Sequence, residues 1–166
     1  MQIEHLYRMQ SELNQRYFRL YPDKPKSAST VALALLAELG EFLNELKPNW
    51  AWWKNGSVDR LTALEEAADL IFFALTFDLV RNVAPYVKDI QPYQDRNHDP
   101  FRQLPLLLSV ILGKLLRPAD NKPIAHIVVW WLLQFFSEEE LLQAYQQKYA
   151  VNIKRLEQIE QQPVLL

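Results

Sequence analysis

The sequence predicts an all-α protein. Apolar residues recur at helical spacing in six segments, and no stretch alternates apolar and polar residues between hairpin turns. Prolines and polar connections separate these segments. At 166 residues, with 49% hydrophobic and 23% charged residues, the chain is long enough to bury a core. We therefore expect residues 1–166 to form a single domain, a bundle of about six helices.

The six helices follow from their start and stop signals. Pro22 and Pro25 end the first helix, and Pro48 lies beyond the end of the second. Asp59 is a suitable N-cap for the third. The last helix begins at a capping box formed by Ser137 and Glu140. Residues 85–102 are polar and interrupted by prolines, which predicts a loop. The predicted helices cover residues 2–20, 29–46, 60–82, 103–117, 123–136 and 138–161.

Composition excludes several classes of function. The formal net charge of −2 provides no overall basic field, so we expect neither nucleic acid nor anionic lipid as a partner. The absence of cysteine excludes disulfides, thiolate zinc sites and cysteine nucleophiles. Only 3 glycines are present, so no glycine-rich phosphate loop can form. Any phosphate would have to be held by metal and basic side chains.

The sequence predicts a cytoplasmic protein without a membrane span. Residues 1–15 contain no uninterrupted apolar segment of the kind found in a signal peptide. The most apolar stretch, residues 124–136, is interrupted by His126 and Gln134. It is also shorter than the roughly 20 residues that a membrane span requires. We expect this stretch to be a buried helix of the bundle. Its WW and FF pairs leave large side chains on more than one helix face, which suggests a dimer interface.

Two helices carry the candidate metal ligands. Glu38 and Glu41 lie three residues apart in the second helix, and Glu66 and Asp69 repeat this spacing in the third. Residues at i and i+3 share a helix face, so side-by-side packing would bring four carboxylates together. Such carboxylates repel one another unless a divalent cation lies among them. Oxygen ligands favour Mg²⁺, with Mn²⁺ as a substitute, and Mg²⁺ commonly shares its ligands with substrate phosphates.

The alternative is that these carboxylates are solvated surface groups, as most acidic residues are. Against this, Glu38 follows an apolar run and Asp69 precedes one, so both lie where the helices are otherwise apolar. Glu65 could replace Glu66 as a ligand. Glu45, one turn beyond Glu41, could assist a ligand, bind another Mg²⁺ or be exposed, and the sequence leaves these three roles open.

These motifs resemble the dimeric dUTPase-like branch of the all-α nucleoside triphosphate pyrophosphohydrolases, which include the MazG proteins. That family carries E-x-x-E followed by E-x-x-D, present here as ELGE and EAAD. The loop NWAWWKNG resembles a tryptophan-rich segment of the trypanosomatid dUTPases. The last helix resembles the motif Y-x-x-K-N-x-x-N-x-x-R-Q, and MQSELN in the first helix resembles L-Q-x-x-L-N. The resemblance covers most of the chain.

The resemblance implies a homodimeric, Mg²⁺-dependent enzyme that hydrolyses a deoxyribonucleoside triphosphate between its α- and β-phosphates. We expect dUTP as the substrate, with dUDP as a second one. Either Glu38 or Glu41 would orient the attacking water and take its proton. Lys148 and Arg155 share a face of the last helix and would contact phosphates, with Lys54 as a further contact. The expected base and sugar contacts are Gln10, Asn14, Trp53 and Asn152.

Three departures from the family pattern leave the base and sugar specificity open. Phe72 stands where the family usually has histidine, and Tyr149 stands where it has asparagine. The final R-Q-x-x-G-Y is replaced by RLEQIEQ. A dCTPase or a MazG-like housecleaning enzyme of broad specificity is therefore the second hypothesis. The third, of a different class, is a helical dimerisation or regulatory bundle without turnover.

Overall fold

A computed structural model describes residues 1–85, 89–91, 99–116 and 122–161, and over these residues it is helical without a strand. The predicted all-α class is confirmed. The 3₁₀ helix Pro100–Gln103 precedes the fifth α-helix. The α-helices are α1 (Glu4–Leu20), α2 (Ala28–Glu45), α3 (Lys47–Trp50), α4 (Arg60–Val80), α5 (Leu104–Leu116), α6 (Ile124–Leu132) and α7 (Glu138–Glu160).

The helix count differs from the prediction at α3. The segment after α2 was expected to be a loop, but Lys47–Trp50 form one helical turn. Pro48 was expected to lie beyond a helix end, whereas here it lies in the first turn of a new helix. Proline is tolerated there because the first-turn N–H groups have no intrahelical acceptor. Pro48 therefore follows the end of α2 and also lies at the start of α3.

Two further boundaries differ from the prediction. Helix α6 ends at Leu132, and the residues up to Phe136 form a turn rather than its last helical turn. The predicted loop 85–102 ends earlier than expected, because the 3₁₀ helix Pro100–Gln103 takes up its last residues. Residues 89–91 of that loop have no regular structure, as predicted. The remainder of that loop at 86–88 and 92–98, and the predicted connection at 117–121, lie outside the described residues.

Helix α4 lies at the centre of the bundle and packs against α1, α2, α6 and α7. Its small and aliphatic residues are buried on most of its faces, as expected for a helix that is apolar nearly all round. Fully buried examples are Ala67, Leu70, Ile71, Ala74 and Leu75. This packing places the acidic segment of α4 directly beside the acidic segment of α2. No helix in the described part of the chain is long and apolar enough to cross a membrane.

The aromatic pairs of α6 pack inside the protomer. Trp131 and Phe136 are buried, and the Trp131 ring meets Phe42 edge-on with a centroid distance of 5.5 Å. Trp130 and Phe135 are half-buried. We expected these pairs to leave large side chains for a dimer interface. Because the protomer itself covers Trp131 and Phe136, only the half-buried Trp130 and Phe135 remain for such an interface.

Polar side chains cap the starts of α4 and α7. Asp59 caps α4 and accepts hydrogen bonds from the backbone N–H groups of Leu61 and Thr62 at 3.0 and 3.3 Å. The predicted capping box is present at the start of α7, where the Ser137 hydroxyl accepts from the Glu140 N–H. These caps satisfy N–H groups that lack intrahelical partners.

A third cap comes from another helix. Asp78, near the end of α4, is fully buried and accepts from the N–H groups of Ile124 and Ala125 at 2.8 and 2.9 Å. The Tyr7 hydroxyl donates to the same carboxylate at 2.7 Å. Burial raises the pKa of Asp78, although the two N–H groups and Tyr7 oppose that shift. Asp78 thereby joins α1, α4 and the start of α6.

Candidate active site

The packing of α2 against α4 brings three of the four predicted metal ligands together. Carboxylate oxygens of Glu38, Glu66 and Asp69 all lie within 4.8 Å of one another, and the three residues are half-buried. Glu41 lies one turn along α2 from Glu38, is more exposed, and lines the same cavity. The i, i+3 spacing in each helix produces this cluster because both pairs face the shared helix contact.

The electrostatics of the cluster favour an additional cation. Burial, followed by the charges of Asp69, Glu41 and Glu66, raises the pKa of Glu38 to about 7. Burial and neighbouring carboxylates also raise the pKa of Glu66. One ammonium group opposes this repulsion: Lys148 Nζ lies 2.5 Å from Asp69 Oδ2. A single positive charge against three clustered carboxylates leaves net negative charge on oxygen ligands, a donor set that fits a hard divalent cation.

A cavity of about 540 Å³ opens beside the cluster. This volume lies within the range of typical small-molecule sites. Along α4 its wall begins with Glu66 and Asp69. It continues with Phe72 and Phe73 and ends with Thr76. At 1.5 Å per residue, Asp69 and Thr76 are about 10 Å apart along the helix axis. The cavity therefore has an acidic end, an aromatic middle and a polar far end.

Helix α7 supplies the basic wall of the cavity. Lys148, Asn152 and Arg155 line it at spacings of four and three residues, so they lie on one helix face. Asn152 is 5% exposed, and its Oδ1 accepts from the Tyr17 hydroxyl at 3.2 Å. Arg155 is exposed at the opening. The structure thus brings the predicted phosphate contacts of α7 to the same cavity as the carboxylates.

The two amides of α1 lie at different depths. Asn14 is 6% exposed and lines the cavity, whereas Gln10 is fully buried behind it. Gln10 Nε2 donates to Asn14 Oδ1 at 2.9 Å and to Thr76 Oγ1 at 3.0 Å. The i, i+4 spacing predicted a shared helix face but not this difference in depth.

Comparison with known proteins identifies the family. A family model described as dUTPase matches residues 2–159. The chain belongs to this dUTPase family. A search of curated proteins and a search of solved structures each returned no match. Membership makes the chain a nucleotide pyrophosphohydrolase of the dUTPase type, with a nucleotide as its substrate. The expected family and enzyme class are confirmed.

Two predicted contacts of this dUTPase-family chain lie apart from the cavity. Lys54 and Trp53 are exposed in the loop after α3, and neither is among the described residues that line the cavity. Trp53 is 58% exposed and packs edge-on against Trp50 and Trp52, with centroid distances of 6.0 and 5.5 Å. Trp50 donates its indole N–H to the Leu43 carbonyl at 2.9 Å. The tryptophans therefore form a surface cluster.

The cavity of this dUTPase-family chain also contains residues that sequence reasoning missed. The segment between α1 and α2 contributes Pro25 and Lys26, which could not be placed because a connection has no periodic face. Phe18 and Val31 extend the apolar wall. Phe73 and Thr76 had a usable signal, since they continue the face of Asp69 by one and two turns. The full set of missed lining residues is Tyr17, Phe18, Pro25, Lys26, Val31, Phe73 and Thr76.

A second groove, of about 470 Å³, lies between α4 and α7 on the other side of the Lys148–Asp69 ion pair. Glu65 lines this groove, whereas Glu66 belongs to the carboxylate cluster. The geometry therefore favours Glu66 over Glu65 as the ligand. Glu45 is half-buried, and its charge contributes to the raised pKa of Glu66.

Proposed function

We propose that this protein is a Mg²⁺-dependent dUTP diphosphatase, which converts dUTP and water to dUMP and pyrophosphate and also hydrolyses dUDP. The supporting observation is the carboxylate cluster at one end of a nucleotide-sized cavity in a chain of the dUTPase family. Membership of the dUTPase family supports pyrophosphate hydrolysis. The polar far end of the cavity supports selection of a base, because polar side chains there can hydrogen-bond to it.

In this proposal Glu38, Glu41, Glu66 and Asp69 hold Mg²⁺, for which Mn²⁺ can substitute. The all-oxygen donor set and the raised pKa of Glu38 both favour the uptake of positive charge. When bound, Mg²⁺ supplies positive charge beside the phosphate oxygens and makes water more acidic. Glu41, at the exposed edge of the cluster, completes the ligand set from α2.

The proton of the attacking water goes to a carboxylate of α2. Glu38 is one candidate base, because it belongs to the carboxylate cluster and lines the cavity. Glu41 is the alternative base, because it lines the same cavity and is more accessible to water. Either group would orient the water before taking its proton.

Basic side chains of α7 hold the triphosphate in this proposal. Arg155 can bind phosphate oxygens with two N–H groups, and Lys148 contributes a point charge. Lys148 is paired with Asp69, and on substrate binding phosphate and metal would take over the two partners of that ion pair. Lys54 and Trp53 are exposed in the tryptophan loop and would contact the nucleotide when it binds.

The base and sugar occupy the middle and far end of the cavity. Phe72 and Phe73 offer an aromatic wall, and their rings meet at a centroid distance of 5.2 Å. Asn152 lies opposite this wall and is available to the sugar. Asn14 contacts the base, and Gln10 supports the base site from behind. We further propose that the whole chain acts as one domain, that it forms a homodimer, and that it acts in the cytoplasm.

A nucleotide panel tests the proposal. Pyrophosphate release from dUTP, dCTP, dTTP, dATP and UTP would be measured with Mg²⁺ and with EDTA. We expect strong, EDTA-sensitive preference for dUTP. Comparable turnover of several nucleotides would favour the second candidate, a dCTPase or housecleaning pyrophosphatase, for which the observation is Phe72 in the cavity wall where the family has histidine. No release from any nucleotide would favour a bundle without turnover.

A further inference from the structure

Four buried side chains from three helices form a connected hydrogen-bond network behind the base site. The Tyr145 hydroxyl of α7 donates to Gln10 Oε1 of α1 at 2.7 Å. Gln10 Nε2 then donates to both Asn14 Oδ1 and Thr76 Oγ1, and the Thr76 hydroxyl of α4 donates to Asn14 Oδ1 at 3.2 Å. Exposure is 1% for Tyr145, 0% for Gln10, 6% for Thr76 and 6% for Asn14. Only the last two line the cavity.

The direction of the donors is fixed at the buried end of this network. A tyrosine hydroxyl has one hydrogen, and the other nearby acceptor, the Leu6 carbonyl, lies at a longer 3.5 Å. In the reverse arrangement the Gln10 amino group would donate to Tyr145, and the tyrosine hydrogen would have only the 3.5 Å contact with Leu6. The distances therefore favour Tyr145 as the donor and Oε1 as the acceptor atom of the Gln10 amide. The Gln10 amino group must then point toward Asn14 and Thr76, where it uses both of its N–H donors.

This direction determines what Asn14 offers to a ligand. Two donors, Gln10 Nε2 and the Thr76 hydroxyl, converge on Asn14 Oδ1. The oxygen is thereby held in the wall, and the Nδ2 amino group is the polar end of the amide left for the cavity. An amino group pairs with a carbonyl acceptor. The 4-position of a pyrimidine is such an acceptor in thymine-type bases, including uracil, and an amino donor in cytosine.

We propose that Thr76 and Tyr145 are positioning residues that set base specificity through Asn14, although Tyr145 never touches the base. By fixing the donor direction of the network, they make Asn14 present N–H rather than oxygen, and so favour a base with a carbonyl at the 4-position over one with an amino group. The proposal rests on the proposed function, since it assumes that a pyrimidine nucleotide occupies the cavity with its base at this end.

Binding of non-hydrolysable nucleotides tests the proposal separately from catalysis. Calorimetric titration with α,β-imido-dUTP and α,β-imido-dCTP in Mg²⁺ would give the affinity ratio for wild type, Thr76→Val and Tyr145→Phe. Each variant removes a hydroxyl while keeping the side-chain shape. We expect the preference for the uracil analogue to fall by about tenfold, as for the loss of one hydrogen bond of defined direction. Thr76→Ser retains the hydroxyl and should retain the preference.

Two controls separate positioning from a general structural effect. Tyr149→Phe removes a hydroxyl from the same helix, one turn beyond Tyr145, and should leave the ratio unchanged. In an Asn14→Ala background, Thr76→Val should no longer alter the ratio, because its effect passes through the Asn14 amide.

Unchanged preference in both Thr76→Val and Tyr145→Phe would overturn the inference while leaving the proposed function intact. An effect of Thr76→Val that persists in the Asn14→Ala background would also overturn it. If wild type bound neither analogue, the proposed function and this inference would both fail.

Discussion

Helix α4 carries carboxylates in two different environments. Near its start, Glu66 and Asp69 are half-buried and meet Glu38 of α2, with one lysine as counterion. Near its end, Asp78 is fully buried and accepts three hydrogen bonds from Tyr7 and the first turn of α6. Burial raises the pKa at Glu38, Glu66 and Asp78 alike. The pKa shifts therefore have the same direction in both environments. The environments differ in the groups that contact the carboxylates.

The comparison shows how to tell a ligand-binding carboxylate from a structural one. The donors around Asp78 are fixed parts of the fold, so its oxygens are already satisfied. In the cluster, oxygens face other oxygens, and the repulsion among them can be relieved by a cation from solution. Substitution at the cluster should therefore affect activity, and substitution at Asp78 should affect stability.

Asp69→Asn should give the largest effect. The substitution keeps the side-chain volume but removes one charge from the cluster, so pyrophosphate release with Mg²⁺ should fall by about a hundredfold or more. The unfolding free energy in EDTA should change little, because the reduced repulsion among the carboxylates offsets the lost ion pair with Lys148. Parallel activity assays and urea denaturation would measure both quantities. Loss of stability with retained activity per folded molecule would contradict the comparison.

Asp78→Ala should lower stability and leave the specific activity unchanged. It leaves the N–H groups of Ile124 and Ala125 and the Tyr7 hydroxyl without their acceptor, which should lower the unfolding free energy by about 3 kcal/mol. Specific activity of the folded fraction should remain near that of wild type. Denaturation followed by circular dichroism measures the change. A variant as stable as wild type would show that Asp78 is not the support of α6.

The pH dependence of stability should sharpen the comparison. In EDTA, the folded protein keeps a proton on Glu38 up to a pKa of about 7, whereas the unfolded chain releases it near the ordinary value of 4.5. The folded state binds more protons in this interval, so the unfolding free energy should fall as the pH rises through it. Glu38→Gln cannot titrate and should show a smaller slope. An equal slope in both proteins would mean that Glu38 does not carry the effect.

The smallest effect is expected at Asp59, the exposed cap of α4. Asp59→Ala removes the acceptor of the Leu61 and Thr62 N–H groups and should lower the unfolding free energy by about 1 kcal/mol. It is the matched reference for Asp78→Ala, since both caps are aspartates and only one is buried. If the two substitutions had equal effects in urea denaturation, burial would not distinguish the caps.

Site residues that lie at regular spacing along one helix face were predictable from the sequence. The acidic pairs could be assigned to one cluster because their i, i+3 spacing and the apolar runs around Glu38 and Asp69 are local features. Lys148, Asn152 and Arg155 were likewise predicted from one helix face, and they line the cavity. The role of Asp78 was missed, although an aspartate within an apolar stretch of α4 was a usable signal for a buried polar contact.

Features that depend on depth or on distant partners were not predictable from local patterns. Gln10 and Asn14 share a helix face, but only the packing of Thr76 and Tyr145 shows that Gln10 lies behind Asn14. The short helix α3 was missed because Pro48 can either follow one helix or begin another. The α6 aromatics suggested an interface because their cover by Phe42 is a contact distant in sequence.

Direct titration of Mg²⁺ tests the central claim, that the α2–α4 cluster and not Asp78 binds the cation. Calorimetry would compare wild type, Asp69→Asn and Asp78→Asn without nucleotide, at a temperature where all three are folded. The account predicts equal binding by wild type and Asp78→Asn, and binding at least about tenfold weaker by Asp69→Asn, a loss of 1.4 kcal/mol or more. Equal Mg²⁺ affinity of wild type and Asp69→Asn would contradict the account.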